Sequence, residues 1–152
     1  MGAESLSVAP MPLEKFLVPV DGSECAVRAV MFASIVAKKF QAKVTLIHVV
    51  PSLVGMIAGP ESFVNIDTRP YEESGRRILE KAAKVLEFSD LTVDRRLEHG
   101  QPVDTIVRVA KNEGYDMIII GSRGLSPVKS LLLGSVSNGV SHHAKCPVLI
   151  VR

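Results

Sequence analysis

The chain has 152 residues, 47% of them apolar and 22% charged, and 18 basic against 16 acidic side chains leave a formal charge of +2. This length suits one domain whose core is large enough to fold without disulfides or metals. The near-neutral balance argues against nucleic acid or an anionic membrane as the main partner. No apolar run in the sequence reaches the ~18–20 residues that a membrane span needs.

The cysteines and the N-terminus favour a cytoplasmic location. Cys25 and Cys146 are far apart and in no metal-ligand spacing, which is typical of reduced, mostly buried thiols in a cytosolic protein. The first residues, MGAESLSVAP, lack the basic start and apolar core of a signal peptide. We expect residues 1–12 to be a flexible leader and residues 13–152 to form the domain.

In the first third of the chain, two strands flank a helix. Residues 15–20 (KFLVPV) and 44–50 (VTLIHVV) are apolar and rich in β-branched residues, as in strands of a covered parallel sheet. Between them, residues 23–40 repeat apolar side chains at steps of three and four up to Phe40, which predicts an amphipathic helix. Asp21, Gly22 and Ser23 have the composition of a turn and an N-cap.

The remaining segments continue the alternation after a variable loop at residues 51–70. Residues 91–98 alternate apolar and charged side chains, which favours a half-exposed strand at a sheet edge. The other predicted elements are helices at 71–88, 102–113 and 135–144 and strands at 116–120 and 147–151. Strands alternating with helices predict right-handed crossovers and a three-layer α/β domain with a five-stranded parallel sheet.

The most polar strand ends are 21–23 and 121–124. In a sheet of order 3-2-1-4-5, these loops end strands one and four and face each other where the order reverses, which is where α/β sheets bind ligands. Glycines in the run GSRGLSPVKSLLLGSVSNGV (121–140) let backbone N–H groups approach an anion, and a helix begins at Gly134-Ser135-Val136. Arg123 and Lys129 would add positive charge or be solvated loop residues.

Other interpretations of this loop stay open. Glycine after a strand is common, and Gly-Ser at a helix start is ordinary capping. The sequence has no G-x-x-x-x-G-K-[ST] motif, and no G-x-G-x-x-G motif follows the first strand, so neither a P-loop nor a Rossmann NAD site is indicated.

The spacing of the glycines resembles the G-2x-G-9x-G-[ST] signature of the ATP-binding branch of the universal stress proteins. In this chain the signature is formed by Gly121, Gly124 and, after nine further residues, Gly134-Ser135. The resemblance runs from about residue 13 to residue 152. It includes the segments VPVDGSECAVRAV, LIHVV, GYDMIIIGSRG and AKCPVLIVR.

This resemblance implies a Rossmann-like, adenine-nucleotide-binding domain with strand order 3-2-1-4-5 that acts as a regulatory homodimer in the stress response. Its ligand would be ATP or AMP, with Mg²⁺ carried in by the phosphates. Arg123 occupies a position that the family fills variably. By position, the binding residues would be Pro19, Asp21 and Val49 at adenine and ribose, Gly121 near the ribose, and Gly124, Gly134, Ser135 and Val136 at the phosphates.

The last strand suggests how two copies would associate. Val148–Val151 (VLIV) would be an apolar, uncharged edge strand, and such an edge invites pairing with another chain. Antiparallel pairing with its own copy would make a two-fold homodimer.

Catalysis is not indicated by the sequence. His48 in mid-strand is expected to be a satisfied core residue, and His142 and His143 point to different faces of a helix. Asp21 could contact the nucleotide, hold a hydrated Mg²⁺ or only cap the next helix. The alternatives to a nucleotide-binding regulator are a slow ATPase or nucleotidyl-transfer enzyme, and a structural or chaperone-like dimer whose glycines serve packing.

Overall fold

The sheet has the predicted composition and order. A computed structural model describes residues 10–52, 67–87, 89–125 and 133–152. Five strands pair in the order β3-β2-β1-β4-β5, and every pair is parallel. The strands are β1 Lys15–Pro19, β2 Lys43–Pro51, β3 Val93–Gly100, β4 Met117–Gly121 and β5 Val148–Val151. The single α/β domain predicted from the alternation is therefore confirmed.

Among the described residues, four helices cover the two faces of the sheet. They are α1 Glu24–Phe40, α2 Arg69–Lys84, α3 Pro102–Asn112 and α4 Ser135–His143. Helices α1 and α2 pack over one face with a core that includes Phe16, Val30 and Leu46. Helices α3 and α4 cover the other face around Leu17, Ile118 and Val140. The crossovers thus bury both faces, which explains why the central strands are apolar throughout.

Local sequence signals explain where the helices begin and end. The Ser23 hydroxyl accepts a hydrogen bond from the Ala26 backbone N–H at 3.2 Å and caps α1. Pro102 occupies the start of α3, and Gly114 follows its end with a φ of 64°.

The prediction was wrong for Phe40, which we placed on the buried face of α1. This last residue of the helix is 49% exposed.

Three predictions fall wholly or partly outside the described residues. The residues outside the described ranges include most of the leader at 1–12, residues 53–66 of the variable loop at 51–70, and Lys129. Of the loop, Pro51 ends β2 and residues 69–70 begin α2. No helix within the described ranges is long and apolar enough to cross a membrane.

Candidate functional site

A crevice of about 410 Å³ opens at the carboxyl ends of β1 and β4, where the strand order reverses. Every residue predicted to bind the nucleotide lines it, although the two loops are about a hundred positions apart in sequence. These residues are Pro19, Asp21, Val49, Gly121, Arg123, Gly124, Gly134, Ser135 and Val136. The structure therefore brings them together, while their role in binding stays a prediction.

Asp21 connects the two loops that form this crevice. Its Oδ1 accepts a hydrogen bond from the Ser23 backbone N–H at 2.9 Å. Its Oδ2 accepts one from the Leu125 N–H at 3.2 Å and lies 2.6 Å from the position of a Cβ on Gly124. The carboxylate therefore organises the turn before α1 and holds the glycine loop against β1. The cap of α1 itself is Ser23, so the bond from Ser23 to Asp21 belongs to the turn before the helix and Asp21 is not the N-cap.

Two further hydrogen bonds join the glycine loop to the first turn of α4, and a third joins it to the N-cap of α1. The Gly134 N–H donates to the Ser122 carbonyl at 2.7 Å, and the Ser137 hydroxyl donates to the same carbonyl at 2.9 Å. The Ser23 hydroxyl donates to the Arg123 carbonyl at 3.3 Å. Because the two ends of the segment between Gly124 and Gly134 are joined in this way, the loop and the helix start form one wall.

The three signature glycines have different reasons to lack a side chain. A Cβ on Gly121 would lie 2.7 Å from the Cys25 carbonyl carbon, so this glycine lets α1 pack closely on β4. A Cβ on Gly124 would meet the Asp21 carboxylate. A Cβ on Gly134 would lie 3.3 Å from the Arg123 Cα, a tight but not prohibitive contact. Part of the glycine signature therefore has an architectural role.

The first turn of α4 is the electropositive part of the crevice. Gly134 is its N-cap, with an extended backbone, and Ser135 and Val136 are the first helical residues. The N–H groups of a first turn have no partner within the helix and carry the positive end of its dipole. Both Ser135 and Val136 line the crevice, so these donors are available to an anion there.

The rest of the crevice wall is apolar and was only partly predicted. Ile47, Ile106 and Ile120 belong to the core on the α3 side, and Ile78 approaches from α2. Pro51 and Pro102 complete this wall. Sequence periodicity marks such residues as buried, but it does not tell a core position from one whose side chain borders a cavity. The apolar wall suits a flat, weakly polar group such as a nucleobase.

Two of the histidines make local hydrogen bonds to backbone carbonyls. The Nδ1 of His48 lies 2.7 Å from the Val20 carbonyl, so the hydrogen bond expected of a satisfied residue is present. The predicted core position is only partly met, because the ring is half-buried and borders the crevice. The Nδ1 of His143 lies 2.8 Å from the Gly139 carbonyl on its own helix. The described residues contain no group of three or more His, Cys, Asp or Glu side chains that could hold a metal ion.

Both cysteines are free, as predicted, but each is half-buried where a mostly buried thiol was expected. The Cys25 sulfur is 3.1 Å from Nη2 of Arg28, because residues three positions apart on a helix are neighbours. Partial burial raises the pKa of the Cys146 thiol, which disfavours its reactive thiolate form.

Comparisons with known proteins agree with this fold. The model of the Universal stress protein family matches residues 12–152. Universal stress protein YxiE of Bacillus subtilis is 36% identical over 145 residues, which cover 91% of this chain and 98% of that protein.

Solved structures give the same result. The structure of MJ0577 of Methanocaldococcus jannaschii is 32% identical, has a TM-score of 0.79 and covers 92% of this chain and 96% of that chain. A universal stress protein solved in complex with cAMP is 26% identical with a TM-score of 0.71, and the match covers 93% of this chain and 98% of that chain. The chain therefore belongs to the universal stress protein family.

Proposed function

We propose that this protein binds an adenine nucleotide, ATP or AMP, in the crevice between β1 and β4 and acts as a regulatory stress-response protein. One observation carries the proposal: the apolar wall and the first turn of α4 face the same cavity, so a base and a phosphate group can be held together. The cAMP complex of a relative supports this ligand class.

The nucleotide would lie with its base near Val49 and Pro19 and its phosphates at the start of α4. The backbone N–H groups of Ser135 and Val136 would receive the phosphate oxygens, aided by the Ser135 hydroxyl. Arg123 is exposed beside them and would add positive charge. Mg²⁺ would be bound mainly by the phosphates, with Asp21 as the carboxylate nearest to them.

The same proposal includes a cytoplasmic homodimer joined through β5. This strand lies at the edge of the sheet and pairs only with β4 among the described strands. Its four apolar residues, Val148–Val151, are half-buried rather than covered. Pairing with a second β5 would extend the sheet across a two-fold axis.

The experiment is calorimetric titration and thermal denaturation of nucleotide-stripped protein with ATP, AMP, GTP and NAD, each with Mg²⁺. At a ligand concentration of a hundred times Kd, binding should add about 2.7 kcal/mol of stability. This corresponds to roughly 5–10 °C in Tm for a domain of this size. Binding of ATP or AMP without GTP or NAD supports the proposal, and indifference to all four contradicts it.

Turnover decides between a regulator and an enzyme. We expect stoichiometric ATP binding with at most weak hydrolysis, because no described side chain at the crevice is placed as an evident general base. Phosphate release over repeated turnovers that is lost in Asp21→Ala would instead identify an ATPase.

A further inference from the structure

Helix α1 exposes an apolar stripe on the side that faces away from the sheet. The stripe consists of Val27, Met31 and Ile35, which are 38%, 53% and 66% exposed. Phe32, beside it, is 42% exposed. Isolated apolar side chains at a surface are ordinary, but a continuous row of large ones is typical of a contact surface.

The position of the stripe follows from helix geometry. Its members are spaced by four residues, so they form one ridge along the helix. The buried side of α1 is formed by Ala26, Ala29, Val30, Ala33 and Ala37, small residues that let the helix lie close to the sheet. Since the core is already filled on that side, the larger apolar residues of α1 contribute little to folding of the monomer.

Charges are placed symmetrically about the centre of the stripe. Glu24 stands seven residues before Met31 and Lys38 seven residues after it. Each is therefore about 10 Å along the helix axis from Met31. Val27 and Ile35 are likewise equidistant from Met31. An antiparallel copy of α1 would consequently place each Val27 opposite an Ile35 and each Glu24 opposite a Lys38.

We propose that the α1 stripe is a docking surface for a second copy of this chain, in which two α1 helices pack antiparallel with Met31 at the two-fold axis. The interface is self-complementary in polarity, since the apolar residues of one stripe meet the apolar residues of its copy. It is also self-complementary in charge, since Glu24 near the N-terminus meets Lys38 near the C-terminus. This arrangement goes beyond the proposed nucleotide binding and does not depend on it.

The charged residues at the ends of the stripe are accessible for such pairing. The Glu24 side chain is 94% exposed and pairs within its own helix only with Arg28, at 3.8 Å. Lys38 is exposed in the last turn of α1. Because exposed ion pairs contribute little affinity, the apolar ridge would supply the binding and the charges would fix the antiparallel register.

The stripe and the edge of β5 lie on different elements, although α1 packs against β5 and Arg28 donates to the Arg152 carbonyl at 3.1 Å. If both surfaces are used, each chain has two different two-fold contacts and the assembly is at least a tetramer. If the β5 contact is absent, α1 pairing alone gives a dimer. The two contacts can therefore be tested independently in the full-length protein.

The first experiment measures the mass of the assembly by analytical ultracentrifugation across a dilution series. Met31→Glu puts two carboxylates at the two-fold axis and should halve the mass. Ser74→Glu adds the same charge at an exposed position on α2 and should leave the mass unchanged. A monomeric wild type, or a mass that Met31→Glu does not change, overturns the proposal.

A cysteine experiment tests the register. At a two-fold axis, Met31→Cys brings two thiols together and should give a disulfide-linked dimer under mild oxidation. In Ile35→Cys the two thiols would be about 12 Å apart along the helix axes, beyond the roughly 7 Å Cα separation that a disulfide allows. Wild type is the control for cross-linking through the natural thiols of Cys25 and Cys146. Equal cross-linking of both variants, or cross-linking of neither, contradicts the register.

A charge exchange separates pairing from any effect on helix stability. Glu24→Lys should weaken assembly, and Glu24→Lys combined with Lys38→Glu should restore it. Both changes oppose the helix dipole, so a merely destabilised α1 would make the double variant worse than the single one. Failure of the double variant to recover the mass overturns the proposed pairing of Glu24 with Lys38.

Discussion

The Asp21 carboxylate accepts a hydrogen bond from the Leu125 backbone N–H at 3.2 Å, across 104 positions of sequence. The other oxygen of the same carboxylate accepts from the Ser23 N–H at 2.9 Å. The end of β1 thus holds both the start of α1 and the glycine loop. A residue predicted to contact the nucleotide is, in the folded chain, also the link between the two halves of the crevice.

Asp21→Ala should therefore affect both stability and binding. Losing two hydrogen bonds to backbone N–H groups, each contributing about 0.5–1.5 kcal/mol, should lower the free energy of unfolding by about 1–3 kcal/mol. A loosened glycine loop should also raise the Kd for ATP. Urea unfolding and calorimetric titration measure the two effects. Asp21→Asn, which keeps one acceptor oxygen, should lie between wild type and Asp21→Ala; wild-type values for the alanine variant would refute this linking role.

Ser135→Asp separates phosphate binding from stability. Ser135 is the first residue of α4, where an acidic side chain interacts favourably with the helix dipole. The variant should unfold at the same temperature as wild type or slightly higher. A carboxylate beside the proposed phosphate position should nevertheless weaken ATP binding at least tenfold, about 1.4 kcal/mol.

Adenosine is the internal control for Ser135→Asp, because it has the base and ribose but no phosphate. Its Kd should be nearly the same for wild type and variant. Equal weakening of ATP and adenosine would mean that the phosphates lie elsewhere in the crevice.

The sequence was sufficient to predict the sheet and to predict that the residues at 21–23 and 121–124 lie close together in the fold. Alternating apolar strands and amphipathic helices leave few topologies, and the turn residues at 21–23 and 121–124 mark the strand ends that meet at the reversal of strand order. The resemblance carried by Gly121, Gly124 and Gly134 added the strand order and the residues around the crevice.

Other features depend on tertiary distances that no local pattern encodes. Ile78 and Ile106 read as ordinary core positions, yet both border the crevice. Phe40 continues the apolar spacing of α1 but is exposed. Likewise, the sequence indicated that another group approaches the backbone closely at Gly121. It did not show that this group is the backbone at Cys25 and not a ligand.

Gly121→Ala should destabilise the fold more than Gly134→Ala does. The new methyl at Gly121 would meet the Cys25 and Ala26 backbone atoms at 2.7–2.9 Å, so α1 must shift from β4. Such overpacking typically costs about 1–3 kcal/mol. At Gly134 the nearest atom is 3.3 Å away, and a smaller loss is expected. Urea unfolding of both variants checks the order, and equal stabilities would exclude a packing role specific to Gly121.

Glu98 should make stability depend on acidic pH. Hydrogen bonding to Arg96 holds the pKa of the Glu98 carboxyl below its usual range, and Arg108 acts in the same direction. Because the folded-state pKa lies below the unfolded value, the carboxylate stabilises the fold fully above the unfolded pKa. That contribution is lost as the pH falls through the folded pKa.

Glu98→Gln should accordingly lose less stability than wild type between about pH 7 and about pH 3. Urea unfolding at a series of pH values gives the two curves. Glu80→Gln, which neutralises an exposed carboxylate on α2, is the matched control and should follow wild type. Parallel curves for wild type and Glu98→Gln would show that this ion pair does not contribute to acid sensitivity.

Ile150→Pro should separate two copies joined through β5 while the monomer stays folded. The Ile118 N–H donates to the Pro147 carbonyl and the Ser122 N–H to the Val151 carbonyl, so the odd-numbered residues of β5 bond to β4. By the alternation of a strand, the N–H of Ile150 points to the open edge. Proline there removes an edge donor, not a bond to β4, and blocks a partner strand. The lost Ile150 side chain packs against the core on the α3 side, so a moderate loss of monomer stability is expected as well.

The expected result is half the wild-type mass in analytical ultracentrifugation, with an unchanged circular dichroism spectrum. Leu149→Pro is the opposite control, because its N–H faces β4 and its loss should destabilise the fold itself. An unchanged mass for Ile150→Pro would exclude the β5 contact and leave the α1 stripe as the remaining proposed contact between copies. If both contacts exist, Ile150→Pro combined with Met31→Glu should give the monomer, which neither change alone would produce.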